Sequence, residues 1–172
     1  MYPLAPARHT TAPRPTTTDG AGIVAVLAAV IASAALGNYC TNLSVRDWYP
    51  ALAKPSWTPS DAVFGPVWAV LYALLATAGA IAWLARDRTS PRKPLLALGV
   101  VLALMAGWCA AFFGLRNPLL GFAVIVALCV ATTTATAVFF QVSRSAGWAF
   151  VPVLLWVLFA AALNAGIFLL TV

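Results

Sequence analysis

Five stretches of this chain, roughly residues 21–40, 62–85, 94–115, 118–142 and 146–171, are long, apolar and almost free of charge. An α-helix needs about 20 such residues to cross the hydrocarbon core of a bilayer. Lipid offers backbone N–H and C=O groups no partner, so a chain must satisfy them within helices or a closed barrel. Only 8% of the 172 residues are charged and 63% are hydrophobic, against about 25% charged in a typical soluble domain. Such a chain has too little charge to cover a water-facing surface. The pattern predicts an all-α membrane protein, a bundle of five transmembrane helices.

Residues 1–20, rich in Pro and Thr, read as a disordered N-terminal tail, and they lack the apolar centre of a signal peptide. Residues 21–172 form the expected helical domain. The breaks 115–118 and 143–147 are very short, so the helices flanking them run antiparallel. Lys and Arg in short loops set orientation. Arg8, Arg14, Arg86, Arg88, Arg92, Lys93 and Arg144 fall on one side, and Arg46, Lys54 and Arg116 on the other. The N-terminus is therefore expected in the cytoplasm, with the membrane that of a bacterial cell. The net charge of +6 follows this topology. No soluble basic face exists for nucleic acid.

The three cysteines, Cys40, Cys109 and Cys129, form no spaced pair, and the single histidine, His9, lies in the tail. A metal site is not expected.

With a rise of about 1.5 Å per residue, Trp68 lies about 10 Å inside the boundary set by Asp61. Trp108 and Asn164 lie about 12 Å inside the same boundary, counted from Arg116 and the C-terminus. Residues four apart share a helix face. Phe64, Trp68 and Tyr72 align on the second span, Trp108 and Phe112 on the third, and Trp156, Ala160 and Asn164 on the fifth. These faces permit a shared pocket with aromatic walls. Packing and ligand contact compete as readings of Trp68 and Trp108. For Asn164, an amide inside the bilayer, a helix-to-helix hydrogen bond is the expected role, and it also stands among the ligand-facing residues.

The first loop carries "WYPALAKPSWTP", residues 48–59. Pro50, Pro55 and Pro59 stiffen it. It can therefore act as a lid bearing Trp48, Tyr49 and Trp57. Lys54 and Arg46 on that lid are candidates to meet a ligand carboxylate, or else to pair with Asp47 and Asp61.

The segment "WYPALAKPSWTPSDAVFGPVWAVLY" (48–72) resembles the signature of the TspO/translocator-protein family, also called tryptophan-rich sensory proteins or peripheral benzodiazepine receptors. "GWCAAFFGLR" (107–116) and "FVPVLLWVLFAAALN" (150–164) resemble that family's motifs on the third and fifth helices. The likeness runs from about residue 21 to the end. It implies a five-helix bundle, often dimeric, that binds porphyrins such as protoporphyrin IX and haem, and synthetic isoquinoline or benzodiazepine ligands. By position it implies a pocket of Tyr49, Pro59, Trp68, Trp108, Trp156 and Ala160. Together with Lys54, Trp57, Phe112 and Asn164 these are the candidate ligand-binding residues. Met105 stands where the family often has Asn, and Val153 where it has Tyr. The chain ends without the Tyr-then-basic pattern associated with sterol.

A tetrapyrrole would stack on the indoles as a ligand. No cofactor is required, and no strong axial ligand for iron is in view. The four acidic residues all lie outside the spans, so no buried general acid or base is available. Whether the protein is an enzyme stays open. The alternative to a receptor is light-dependent porphyrin breakdown with Trp48, Trp57 and Trp68 as electron donors. A transport path would need polar groups across the bundle, and only Thr132, Thr133, Thr134 and Thr136 cluster at mid-depth. Gly99, Ala103, Gly107 and Ala111 form a stripe of small residues on the third span. It fits either a homodimer face or a neighbouring helix of the same bundle.

Overall fold

The computed structural model describes residues 17–171, and residues 1–16 of the expected tail lie outside them. Five helices are long and apolar enough to cross a membrane, as the hydropathy pattern requires. They are α1 (Thr17–Asn42), α3 (Asp61–Leu84), α4 (Arg92–Cys109), α5 (Pro118–Val142) and α6 (Arg144–Thr171), with a one-turn helix α2 (Trp48–Ala51) in the first loop. α1 starts before residue 21, inside the stretch that composition assigned to the tail.

The helices pack in the cyclic order α1, α4, α5, α6, α3 and back to α1. The closest pair, α5 and α6, is joined through Ser143 alone. Ser143 turns the chain in an extended conformation, and its hydroxyl accepts from the Ala146 N–H at 3.1 Å. Residues such as Leu75, Val101, Ile125, Leu128 and Phe150 fill the core.

Two small residues set how α1 meets α3. A Cβ on Gly22 would lie 1.8 Å from the Trp83 indole, and one on Gly79 would lie 2.6 Å from Val26 Cγ1. The two backbones therefore approach closely at the end remote from the first loop. Toward the first-loop end, Asn38 of α1 and Asp61, Gly65 and Ala69 of α3 are exposed, and the helices part around a cavity.

α4 ends in a π turn, Ala110–Gly114, closed by the Leu115 N–H donating to the Ala110 carbonyl at 2.8 Å. One extra residue per turn brings both Phe112 and Phe113 inward, where each is buried. Single π turns of this kind gather at functional sites. Arg116 follows with φ of 52°, a left-handed conformation costly for any residue that carries a Cβ. It is held there by its guanidinium, which reaches the Asp47 carboxylate at 2.7 Å and the Leu43 carbonyl at 3.2 Å.

The small-residue stripe on α4 is not one continuous outward face. Gly99 and Ala103 are exposed, Gly107 is half-buried beside Val124 of α5, and Ala111 is buried. Only its first half remains available to a second copy. The mid-depth threonines are self-satisfied: each hydroxyl donates to the carbonyl four residues back in α5.

The two kinds of glycine should respond oppositely to substitution. Gly79→Val overpacks the α1–α3 contact and is expected to lower stability by about 1–3 kcal/mol. Gly99→Ala enters open space and should be neutral or gain up to about 1 kcal/mol of helix propensity. Unfolding in detergent, followed by circular dichroism, measures both.

Candidate functional site: an aromatic cavity under the first loop

The first loop crosses the end of the bundle from α1 to α3 by way of α4 and α6. Its first half is tied to α4. The Ser44 hydroxyl donates to the Phe113 carbonyl at 2.8 Å, a group that the π turn leaves free. The Tyr49 ring lies 5.5 Å from Phe113 and 6.4 Å from Phe112, and Trp48 lies 5.5 Å from Phe112. The second half rests on α6, where a Cβ on Gly166 would meet Pro55 at 2.5 Å and the Trp57 ring lies 5.8 Å from Phe159.

Asp47 reinforces the first tie. Its carboxyl is held below the ordinary range, first by the Trp48 N–H and then by Arg116. A lowered folded-state value means the tie is complete at neutral pH and is lost only as pH falls through that value.

Beneath this loop lies a cavity of about 360 Å³, within the range of small-molecule sites. Tyr49 roofs it. α3 supplies Phe64, Trp68 and Tyr72, α4 and its π turn supply Trp108, Phe112 and Phe113, and α6 supplies Trp156, Ala160 and Asn164. The rings form a connected series: Trp68 lies 6.1 Å from Tyr72 and 6.3 Å from Trp108, and Trp108 stacks on Phe112 at 5.8 Å. On the other wall, Phe64 meets Trp156 at 5.9 Å.

Asn164 fixes the depth of this wall. It is 1% exposed. Its side-chain oxygen accepts from the Trp108 indole N–H at 3.1 Å, and its nitrogen donates to the Pro118 carbonyl at 2.9 Å. One amide thus joins α6, α4 and α5. Gly121 makes room behind it, since a Cβ there would lie 2.9 Å from Phe112 and 3.0 Å from the Asn164 oxygen. The Trp156 indole N–H, by contrast, is buried and has no partner; Trp83, at the far end of α3, is the other such group among the described residues.

Seven of the ten residues expected to face a ligand line the cavity: Tyr49, Trp68, Trp108, Phe112, Trp156, Ala160 and Asn164. Lys54, Trp57 and Pro59 do not. Lys54 is turned back on its own loop, and its ammonium donates to the carbonyls of Tyr49 at 2.8 Å and of Pro50 and Leu52 at 3.2 Å each. An ammonium has three protons, and all three are used. The ion also sits 4.8 Å from the Tyr49 ring centre. Trp57 is half exposed on the α6 side. Of the three suggested electron donors, only Trp68 lines the cavity. Asp47 pairs with Arg116 rather than with Lys54 or Arg46.

Sequence reasoning missed the contribution of α1, whose Ala34, Gly37, Asn38 and Thr41 also line the cavity. Cys109, not among the expected ligand-facing residues, also lines the cavity, which wraps far enough around α4 to touch both it and Trp108. Asp61, taken as a helix boundary, stands in the wall as well. Its place two turns before Trp68 on the same helix was the available signal.

A membrane bundle of five helices, with an aromatic cavity closed by a crossover loop, is the class that fold and site define. The TspO/MBR family model matches residues 24–170. The chain is 37% identical over 148 residues to the tryptophan-rich protein TspO of Archaeoglobus fulgidus, covering 86% of this chain and 95% of that one. It is 32% identical to a tryptophan-rich sensory protein of Cereibacter sphaeroides, covering 85% and 89%, and 35% identical to the human translocator protein, covering 68% and 70%. The chain belongs to the TspO/MBR family.

Replacing Asn164 by Leu keeps its bulk but orphans the buried Trp108 N–H and the Pro118 carbonyl. An unmade buried hydrogen bond costs about 1–3 kcal/mol. Asn164→Leu should therefore lower the unfolding midpoint in detergent, and the loss should shrink when Trp108→Phe removes the donor as well.

Proposed function

We propose that this protein is a membrane receptor for porphyrins, protoporphyrin IX and haem among them, and for related flat hydrophobic ligands, acting in tetrapyrrole sensing, transport or removal. The observation that carries this reading is the cavity wall itself. Indoles from three different helices, Trp68, Trp108 and Trp156, line one hollow. Indole rings that served only as anchors at the membrane interface would not need to converge. Flat π-systems stack on such rings.

A tetrapyrrole is broader than this cavity, so its polar edge would project through the gap between α1 and α3. The relatives' names, "sensory protein" and "translocator protein", agree with a protein that responds to or moves a ligand. Facing Gly37 of α1, the Cys109 thiol of α4 and the Tyr72 phenol of α3 also belong to the lining. In this reading neither is an iron ligand, and metal-free porphyrin binds as well as haem.

Photochemical breakdown of the bound porphyrin is the second reading. The Tyr72, Trp68 and Trp108 series, with neighbouring centroids 6.1 and 6.3 Å apart, favours it as a source of electrons at the cavity wall.

Quenching of Trp fluorescence by protoporphyrin IX tests the receptor directly. The Trp68→Phe, Trp156→Phe double substitution should weaken binding by about tenfold, the loss of one to two kcal/mol of ring contact. Unchanged affinity would remove this cavity as the site. Illumination in air of the same samples separates the second reading, which requires porphyrin absorbance to fade faster in the wild type than in the double variant.

A further inference from the structure

We propose that Asp61 is a charge filter at the mouth of the cavity. It selects flat ligands whose projecting edge is neutral or cationic over those whose edge carries carboxylates. The inference rests on the receptor reading above and ranks ligands within it: protoporphyrin IX and haem, whose arms end in carboxylates, bind less tightly than neutral or cationic counterparts of the same macrocycle.

Asp61 is the one charged residue in the cavity wall among the described residues. It is exposed, at the first turn of α3, and it belongs to the edge where α3 and α1 part. Asn38, Gly65 and Ala69 are the other exposed lining residues there. Whatever part of a ligand does not fit inside emerges beside this carboxylate. Among the described residues Asp61 makes no ion pair, so no protein cation neutralises it.

Of the three cations on the first-loop side, two are committed elsewhere, and the third, Arg46, is exposed and lies outside the cavity wall. Lys54 has its three protons on three carbonyls, and Arg116 is bound to Asp47 and to Leu43. The influence of Asp61 reaches the roof. The Tyr49 phenol, raised first by burial, is raised further by the Asp61 charge.

A bland role exists for an acid at this position, because the N-terminus of a helix favours negative charge. That role concerns the stability of α3 and is indifferent to the charge on a ligand. A filter is not. Two charges about 4–8 Å apart at a partly solvated mouth interact strongly enough to change affinity about fivefold, less at high salt.

Three probes share one macrocycle: protoporphyrin IX with its two carboxylates, its neutral dimethyl ester, and an analogue bearing amines on the same arms. Each is titrated against the full chain in nanodiscs of neutral lipid, as wild type, Asp61→Asn and Asp61→Glu. Partition into lipid is the same for all three proteins and cancels in the comparison. Removing the charge in Asp61→Asn should tighten the dicarboxylate by about fivefold, leave the diester unchanged and weaken the diamine by about fivefold. Asp61→Glu should behave as the wild type, and 0.5 M salt should shrink the differences.

Equal shifts for all three probes, or no shift for any, would overturn the filter while leaving the receptor reading intact. Failure of all three to quench in every protein would overturn the receptor reading and this inference with it.

Discussion

An amide placed in lipid has no water to turn to, and the two hydrogen bonds that satisfy Asn164 determine how three helices meet. Its oxygen holds the Trp108 indole and its nitrogen holds the first carbonyl of α5. With that indole fixed, its ring can serve as the centre on which Trp68 and Phe112 lean. The hydrophobic effect cannot specify this arrangement, because lipid tails are as apolar as the side chains they would replace. Polar bonds and close fits must do so.

The close fits act at the opposite end. Gly22 and Gly79 let α1 and α3 touch near Trp83 and Val26, and from that contact the two helices diverge around the cavity. The first loop closes the top of the gap and leaves its side. Its proline-stiffened course is held by the Ser44 bond, by Arg116 and by Tyr49 seated on the two phenylalanines of the π turn. Extra width in that turn is what brings Phe112 and Phe113 to the same interior. The cavity is thus a consequence of helices pinned at both levels, with a roof bonded to one wall.

Much of this was legible in the chain. Five apolar runs give five helices because the period and length of a membrane span leave little choice. The i, i+4, i+8 spacing of Phe64, Trp68 and Tyr72 put one face of α3 inward correctly. Asn164 was readable as a helix bridge, though not its partners, which depend on how α4, α5 and α6 are rotated. α1 was opaque: its lining residues Ala34, Gly37 and Thr41 look like any others in an apolar helix. Lys54 misled for a physical reason. A lysine beside prolines suggests a free charge, but three carbonyls of a tight loop are nearer acceptors than any ligand. The π turn leaves no mark in composition, and without it Phe113 falls on the wrong side.

The central claim is that three of the seven tryptophans share one ligand-facing hollow while the rest do not. The indole N–H resonances of protein labelled with ¹⁵N-tryptophan in nanodiscs, followed during titration with protoporphyrin IX, report each ring separately. Ring currents from the bound macrocycle should move the Trp68, Trp108 and Trp156 signals strongly and leave Trp57, Trp83 and Trp148 near their starting positions. Large shifts at Trp57, Trp83 or Trp148 with the first three unmoved would contradict the account.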